Sequence, residues 1–171
     1  KVLTLPESID ERVYNINGRK LVASSTAVQN LAGERFYDLS TGQIAFTMPQ
    51  KVSWVGKIDD VILMKGIDGK TFYDARTLKV TLTLPENIEN IFMTADNVPA
   101  GLHVSEGQTA VYALKTGEPL TEMPYEIAPP IIRINGKVFA NITDTADFCD
   151  MKSGAIAFTL PLSRLAKELS V

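Results

Sequence analysis

Phe36-Tyr37-Asp38-Leu39-Ser40-Thr41-Gly42-Gln43-Ile44-Ala45-Phe46-Thr47-Met48-Pro49 is the stretch that decides the fold, because the chain repeats it. The same phrase runs from Phe72-Tyr73-Asp74 to Leu84-Pro85, from Val111-Tyr112-Ala113 to Met123-Pro124, and from Phe148-Cys149-Asp150 to Leu160-Pro161. Its tail, Leu3-Thr4-Leu5-Pro6, stands near the start of the chain. The closing prolines are 43, 36, 39 and 37 residues apart. A fixed period of this length marks units that each bury a face against the next.

Working outward from the phrase, each unit divides into four short apolar runs separated by turn signals, the pattern of an antiparallel meander. In the first unit Arg12–Ile16 leads through Asn17-Gly18, a two-residue hairpin signal, into Lys20–Ala23. Arg35–Asp38 and Ile44–Met48 supply the third and fourth strands. Matching first turns are expected at Asp59-Asp60, Asn97–Gly101 and Asn135-Gly136, and matching second turns at Asp68-Gly69, Glu106-Gly107 and Asp144-Thr145. The third turns read Ser40-Thr41-Gly42, Arg76-Thr77-Leu78, Lys115-Thr116-Gly117 and Lys152-Ser153-Gly154.

Proline cannot donate to a sheet ladder, so one after every fourth strand places that strand at a blunted outer edge. Four-stranded units of about 40 residues with protected edges describe an all-β fold, a β-propeller of four-stranded antiparallel blades. The expected division is an outer strand at residues 1–6, blades at 7–49, 50–85, 86–124 and 125–161, and a short C-terminal helix at 162–171 capped by Ser163. Four blades plus one spare strand leave closure open. Either four blades close on themselves, or further blades come from a longer chain or another subunit.

At the third turn the sequence resembles the quinoprotein-type, or PQQ-like, propeller repeat, whose phrase runs Ala-x-Asp-x-x-Thr-Gly and then, after three more residues, Trp. Asp38-Leu39-Ser40-Thr41-Gly42 fits it, and Asp150-Met151-Lys152-Ser153-Gly154 is close. Asp74-Ala75-Arg76-Thr77 keeps half of it, with Leu78 for the glycine, and Ala113–Gly117 lacks the aspartate. Phe46, Leu82, Leu120 and Phe158 stand where the family carries its repeat tryptophan. The resemblance implies a divergent propeller whose aspartates and threonines bind turn backbone. It also implies an alternative function, as part of a larger propeller enzyme (a quinoprotein-like dehydrogenase or glycan-acting hydrolase) with its active site outside this chain.

Composition narrows the function classes. The 171 residues are 45% hydrophobic and 22% charged with a net charge of −3, a globular balance without a basic block for nucleic acid. No apolar run reaches the length of a membrane helix. The one cysteine, Cys149, takes the slot of Tyr37, Tyr73 and Tyr112 and is expected to pack as a small hydrophobe. The one histidine, His103, sits in a second strand, so no Ser-His-Asp triad or histidine metal cluster is expected beyond it. Asp59, Asp60, Asp144 and Asp147 lie at hairpins as turn formers, without the alternation of a calcium loop. Asn141-Ile142-Thr143 matches a glycosylation sequence but falls in a strand.

No cofactor is expected, and the reading is of a non-catalytic scaffold that binds a protein or peptide partner through loops. The longest insertion, Ser24–Ala32, carries Gln29 and Asn30, and loops on a rigid frame are where binding residues concentrate. Trp54, the lone tryptophan, falls in an innermost strand and reads either as central core packing or as a rim aromatic of a binding patch; with Tyr125, in the irregular stretch Tyr125–Pro130, it completes the candidate partner-binding set.

Overall fold

The computed structural model describes residues 4–5, 8–24 and 34–160, and among them every regular element is a β-strand. Sixteen strands form four separate four-stranded sheets, each with its strands in chain order. Blade 1 holds β1 (Ile9–Ile16), β2 (Arg19–Ser24), β3 (Arg35–Asp38) and β4 (Ile44–Thr47). Blade 2 holds β5 (Val52–Ile58), β6 (Val61–Gly66), β7 (Thr71–Asp74) and β8 (Val80–Thr83). Blade 3 holds β9 (Asn90–Met93), β10 (Pro99–Ser105), β11 (Gln108–Ala113) and β12 (Pro119–Met123). Blade 4 holds β13 (Ile127–Ile134), β14 (Lys137–Ile142), β15 (Asp147–Asp150) and β16 (Ile156–Thr159). This is the blade architecture of a β-propeller, as the repeat predicts. Ser24 ends β2, and the rest of the expected loop to Ala32, with Gln29 and Asn30, lies outside the described residues, as does the helix expected at 162–171. Of the spare strand expected at Lys1–Pro6, only Thr4 and Leu5 are described, and neither is in a strand.

Turn chemistry fixes the strand ends. Asn17 and Gly18 have φ of 52° and 74°, and Asn135 and Gly136 have 49° and 78°, the pair of positive values that a tight hairpin twisting with its strands demands. At the third turn Gly42, Gly117 and Gly154 all adopt positive φ. Blade 2 forces Leu78 into the same left-handed conformation at φ 58°.

The outer strands share a second feature. Phe36 pairs with Phe46 but Tyr37 pairs with Ile44, which leaves Ala45 as an extra residue in β4. The same shift recurs at Thr81, Leu120 and Ala157 in the other three blades, which corrects the sequence alignment: Leu120 is the counterpart of Ala45, and Thr121, not Leu120, stands where blade 1 has Phe46. Each fourth strand is therefore bulged in its middle and followed by proline, two devices that protect an edge.

Two sequence expectations are corrected. The turn placed at Asn97–Gly101 lies three residues earlier, between Met93 and Pro99, because Pro99 begins β10 and a proline at a strand's first residue loses no ladder bond. Tyr125–Pro130 is not wholly irregular, because Ile127–Pro130 belong to β13. The prolines are accommodated there because β13 is an edge strand and its register shifts between Ala128 and Ile131.

The chain divides into two compact units, Lys1–Pro85 with blades 1 and 2 and Glu86–Val171 with blades 3 and 4. The first core gathers Ile16, Leu21, Phe36 and Met48 of blade 1 with Val52, Met64 and Tyr73 of blade 2. The second gathers Leu102, Val111 and Met123 of blade 3 with Val138, Ala140 and Cys149 of blade 4. Middle strands are covered on both faces, as the adjacent buried residues Leu21 and Val22 show. This explains why the middle strands read as continuous apolar runs without polar alternation. Each residue just before the first three inter-blade prolines, Met48, Leu84 and Met123, is fully buried.

Candidate functional site

The repeated third turns are the most regular polar constellation. The Asp38 carboxylate accepts from the Ser40 amide at 2.7 Å and the Ser40 hydroxyl at 2.6 Å, and Arg19 pairs with it at 2.7 Å. Those two Ser40 hydrogen bonds and the Arg19 guanidinium hold its pKa down to about 2 against a small opposing effect of burial. Asp74 accepts from the amides of Arg76 and Thr77, and Asp150 from those of Lys152 and Ser153. One step on, Thr41, Thr77, Thr116 and Ser153 accept from the amide two residues ahead in all four blades. The aspartates and hydroxyls of the repeat are thus committed to turn backbone. Asp68 does related work at a second turn: burial pushes its pKa up, but bonds from Thr71, Gln50 and Lys70 outweigh that and lower it.

Two further polar side chains, not anticipated from the sequence, bind adjacent blades. Glu34 is buried, and its Oε2 accepts from the amide of Val52, the first residue of β5, at 2.8 Å. Thr109 occupies the matching place in blade 3 and is 1% exposed. Its hydroxyl accepts from the amide of Ile127, the first residue of β13, and donates to the Tyr125 carbonyl. The signal available was a polar residue just ahead of the phrase at a position that pairs with, or bonds to, the residue before the proline.

A polar cleft of about 330 Å3 lies on blade 3, lined in part by Glu86, His103, Ser105, Tyr112 and Glu122. His103 Nδ1 is 2.9 Å from the Asn87 carbonyl, and since a carbonyl only accepts, that nitrogen carries the proton. Nε2 then faces Glu86 Oε2 at 3.9 Å. Burial, with Glu86 and Glu122 nearby, pushes the Tyr112 hydroxyl pKa up. The arrangement can accept a hydrogen-bond donor. Among the described residues no three of His, Cys, Asp and Glu converge as a metal-binding set.

The residues expected to bind a partner have distinct surroundings. Trp54 lies in β5 of the first unit, partly buried, with its ring over Gly56. Tyr125 belongs to the second unit, where its ring packs against the core and its buried hydroxyl has no hydrogen-bond partner among the described residues. Burial and then the adjacent Cys149 raise the Tyr125 pKa. Cys149 is fully buried, its Sγ 3.8 Å from Met123 Sδ and 3.5 Å from the Ala140 carbonyl, and burial raises its pKa. It packs as the sequence predicts. The Asn141 amide is held inside its own blade, donating to the carbonyls of Thr145 and Asp147.

Apolar side chains do face solvent at one matching place. Ile44, Val80 and Ile156, the first residues of β4, β8 and β16, are 50%, 53% and 59% exposed. Pro119 takes the same exposed place in β12.

No family profile matches the chain, and neither does any curated protein. The fold is similar to that of solved structures. One, described as the crystal structure of the eukaryotic initiation factor, aligns at TM-score 0.52 and 14% identity over 92% of this chain and 44% of its own. Another, dihydro-heme d1 dehydrogenase NirN in complex with DHE, aligns at TM-score 0.59 and 13% identity over 94% of this chain and 39% of its own. The chain thus spans about two fifths of each of these proteins, and the likeness is one of a propeller-like fold.

Proposed function

We propose that the chain is a non-catalytic interaction scaffold, built on divergent quinoprotein-type repeats, that binds a protein or peptide partner. The observation that carries the reading is the division of labour among side chains. Carboxylates and hydroxyls of the repeat are spent on turns, while Ile44, Val80, Pro119 and Ile156 present apolar surface at the start of each outer strand. Exposed apolar positions that recur on a hydrogen-bonded frame suit contact with another macromolecule. The repeat-type turns support the quinoprotein-like ancestry, since Asp38, Asp74 and Asp150 all cap the turn in the same way.

The test is isolation of a stoichiometric complex with the intact chain. Binding is expected to weaken when residues 25–33 are replaced by a short Gly-Ser linker, or when Ile44 and Val80 are changed together to Lys. A complex indifferent to both changes would overturn the surface assignment. Turnover or cofactor absorbance in a longer form of the protein would favour instead the reading of a propeller enzyme with its active site outside this chain.

A further inference from the structure

Three of the four blades fill one cross-strand position with a large pair. Phe36 lies opposite Phe46 with ring centroids 4.8 Å apart, Phe72 opposite Leu82, and Phe148 opposite Phe158 with centroids 5.0 Å apart. Blade 3 has Val111 opposite Thr121 at the same register. Here the structure holds a cavity of about 190 Å3, lined by both of these residues together with Leu120 and, from blade 4, Val138 and Met151. The floor is apolar, while Thr94, Asp96, Thr121 and Lys152 add polar groups to the lining, and a cavity of about 150 Å3 is enough to hold benzene. In the first unit the stacked Phe36 and Phe46 rings occupy this position and pack in one core with Tyr73 and Ala75 of blade 2. The cavity lies where the large pair of the other three blades, each with at least one phenylalanine, is missing.

We propose that this cavity is a binding pocket for an aromatic side chain presented by a partner polypeptide, which supplies the ring that blade 3 lacks. The rim supports a side chain on a polar backbone over a hydrocarbon ligand. Asp96 of blade 3 and Lys152 of blade 4 form an ion pair at 2.9 Å at the mouth, both well exposed. An apolar ligand covering these charges would strip their water without replacing it. A peptide leaves its amides to meet them while only the ring is buried, the apolar-floor and polar-rim arrangement of protein interfaces. The proposal rests on the scaffold reading and names the chemistry of one partner contact.

The test uses the full chain with methyl-labelled methionine, whose five residues include Met151 at the cavity and Met48 and Met64 in the other unit. Titration with toluene, and separately with N-acetyl-phenylalanine amide, is expected to shift the Met151 methyl resonance and leave Met48 and Met64 unmoved. Thr121→Phe restores the large pair. It should abolish or weaken binding of both probes at least tenfold and raise the unfolding midpoint. Val111→Phe provides the same filling from the other strand should the first variant fail to fold. An unmoved Met151 methyl at saturating toluene, undiminished binding in a folded filled variant, or binding of toluene without the capped phenylalanine would each overturn the proposal. The scaffold reading fails separately, by the absence of a stoichiometric partner, an outcome that leaves these titrations unaffected.

Discussion

The carboxylate of Glu34 accepts the amide proton of Val52 at 2.8 Å, and so fastens the first residue of blade 2 to the third-strand end of blade 1. Thr109 does the same for Ile127 between blades 3 and 4. In both units a side chain satisfies the backbone donor that the chain exposes as it leaves one sheet for the next. Burial makes such a donor costly to leave unmatched.

Removing either acceptor is expected to destabilise its own unit. Glu34→Ala and Thr109→Val should each cost about 1–3 kcal/mol, the range for a buried amide left without a partner. Urea unfolding followed by circular dichroism reads the loss. A change within about 0.5 kcal/mol in both variants would refute the staple.

Asp38 predicts a definite pH dependence. Its pKa in the folded protein is about 2, below the ordinary value of 3.8. A group depressed on folding stabilises above its unfolded pKa, and that contribution disappears as the pH falls through the folded one. The stability difference between the wild type and Asp38→Asn should therefore be flat above pH 5 and shrink between about pH 4 and pH 2. A difference that stays constant down to pH 2 would contradict the Ser40 and Arg19 contacts as its source.

Leu78 offers a clean measure of backbone strain. It sits at φ 58° where the other blades have glycine, and its side chain packs against the core of the first unit. Leu78→Gly and Leu78→Ala lose the same packing, but only glycine relieves the left-handed conformation. The glycine variant should be the more stable of the two by about 1 kcal/mol. Thermal unfolding of the pair decides it, and equal midpoints would show that the strain is absent.

Gly56 is held by the ring above it. A Cβ there would overlap Trp54 Cζ2, so Gly56→Ala must displace the indole. Because Trp54 is the only tryptophan, its emission reports the movement directly. A shifted emission maximum and a loss of about 1–3 kcal/mol are expected. An unchanged spectrum would show that the ring does not rest on the glycine.

The blades were legible in the sequence because their turns obey local rules. Arg35–Asp38 was placed correctly as a strand, since Asp, Thr and Gly at fixed offsets punctuate it on short-range grounds alone. Pro99 and Pro129-Pro130 misled for the same reason: proline reads as a breaker locally, while strand position and edge status, which are tertiary properties, decide whether it is tolerated. Glu34 and Thr109 could be seen as polar residues but not as inter-blade staples, because their partners lie 18 residues onward in another sheet. The same holds for Val111 and Thr121. The departure from phenylalanine is printed in the chain, whereas the space it leaves depends on what blade 4 brings to it.

The extra residue in each fourth strand governs how another molecule can approach. A foreign segment laid along β4, β8, β12 or β16 would lose its ladder within a few rungs, at Ala45, Thr81, Leu120 or Ala157. Main-chain pairing, which is indifferent to sequence, is thus denied along all four rims. Any preference for one approaching segment over another would therefore rest on the side chains standing there.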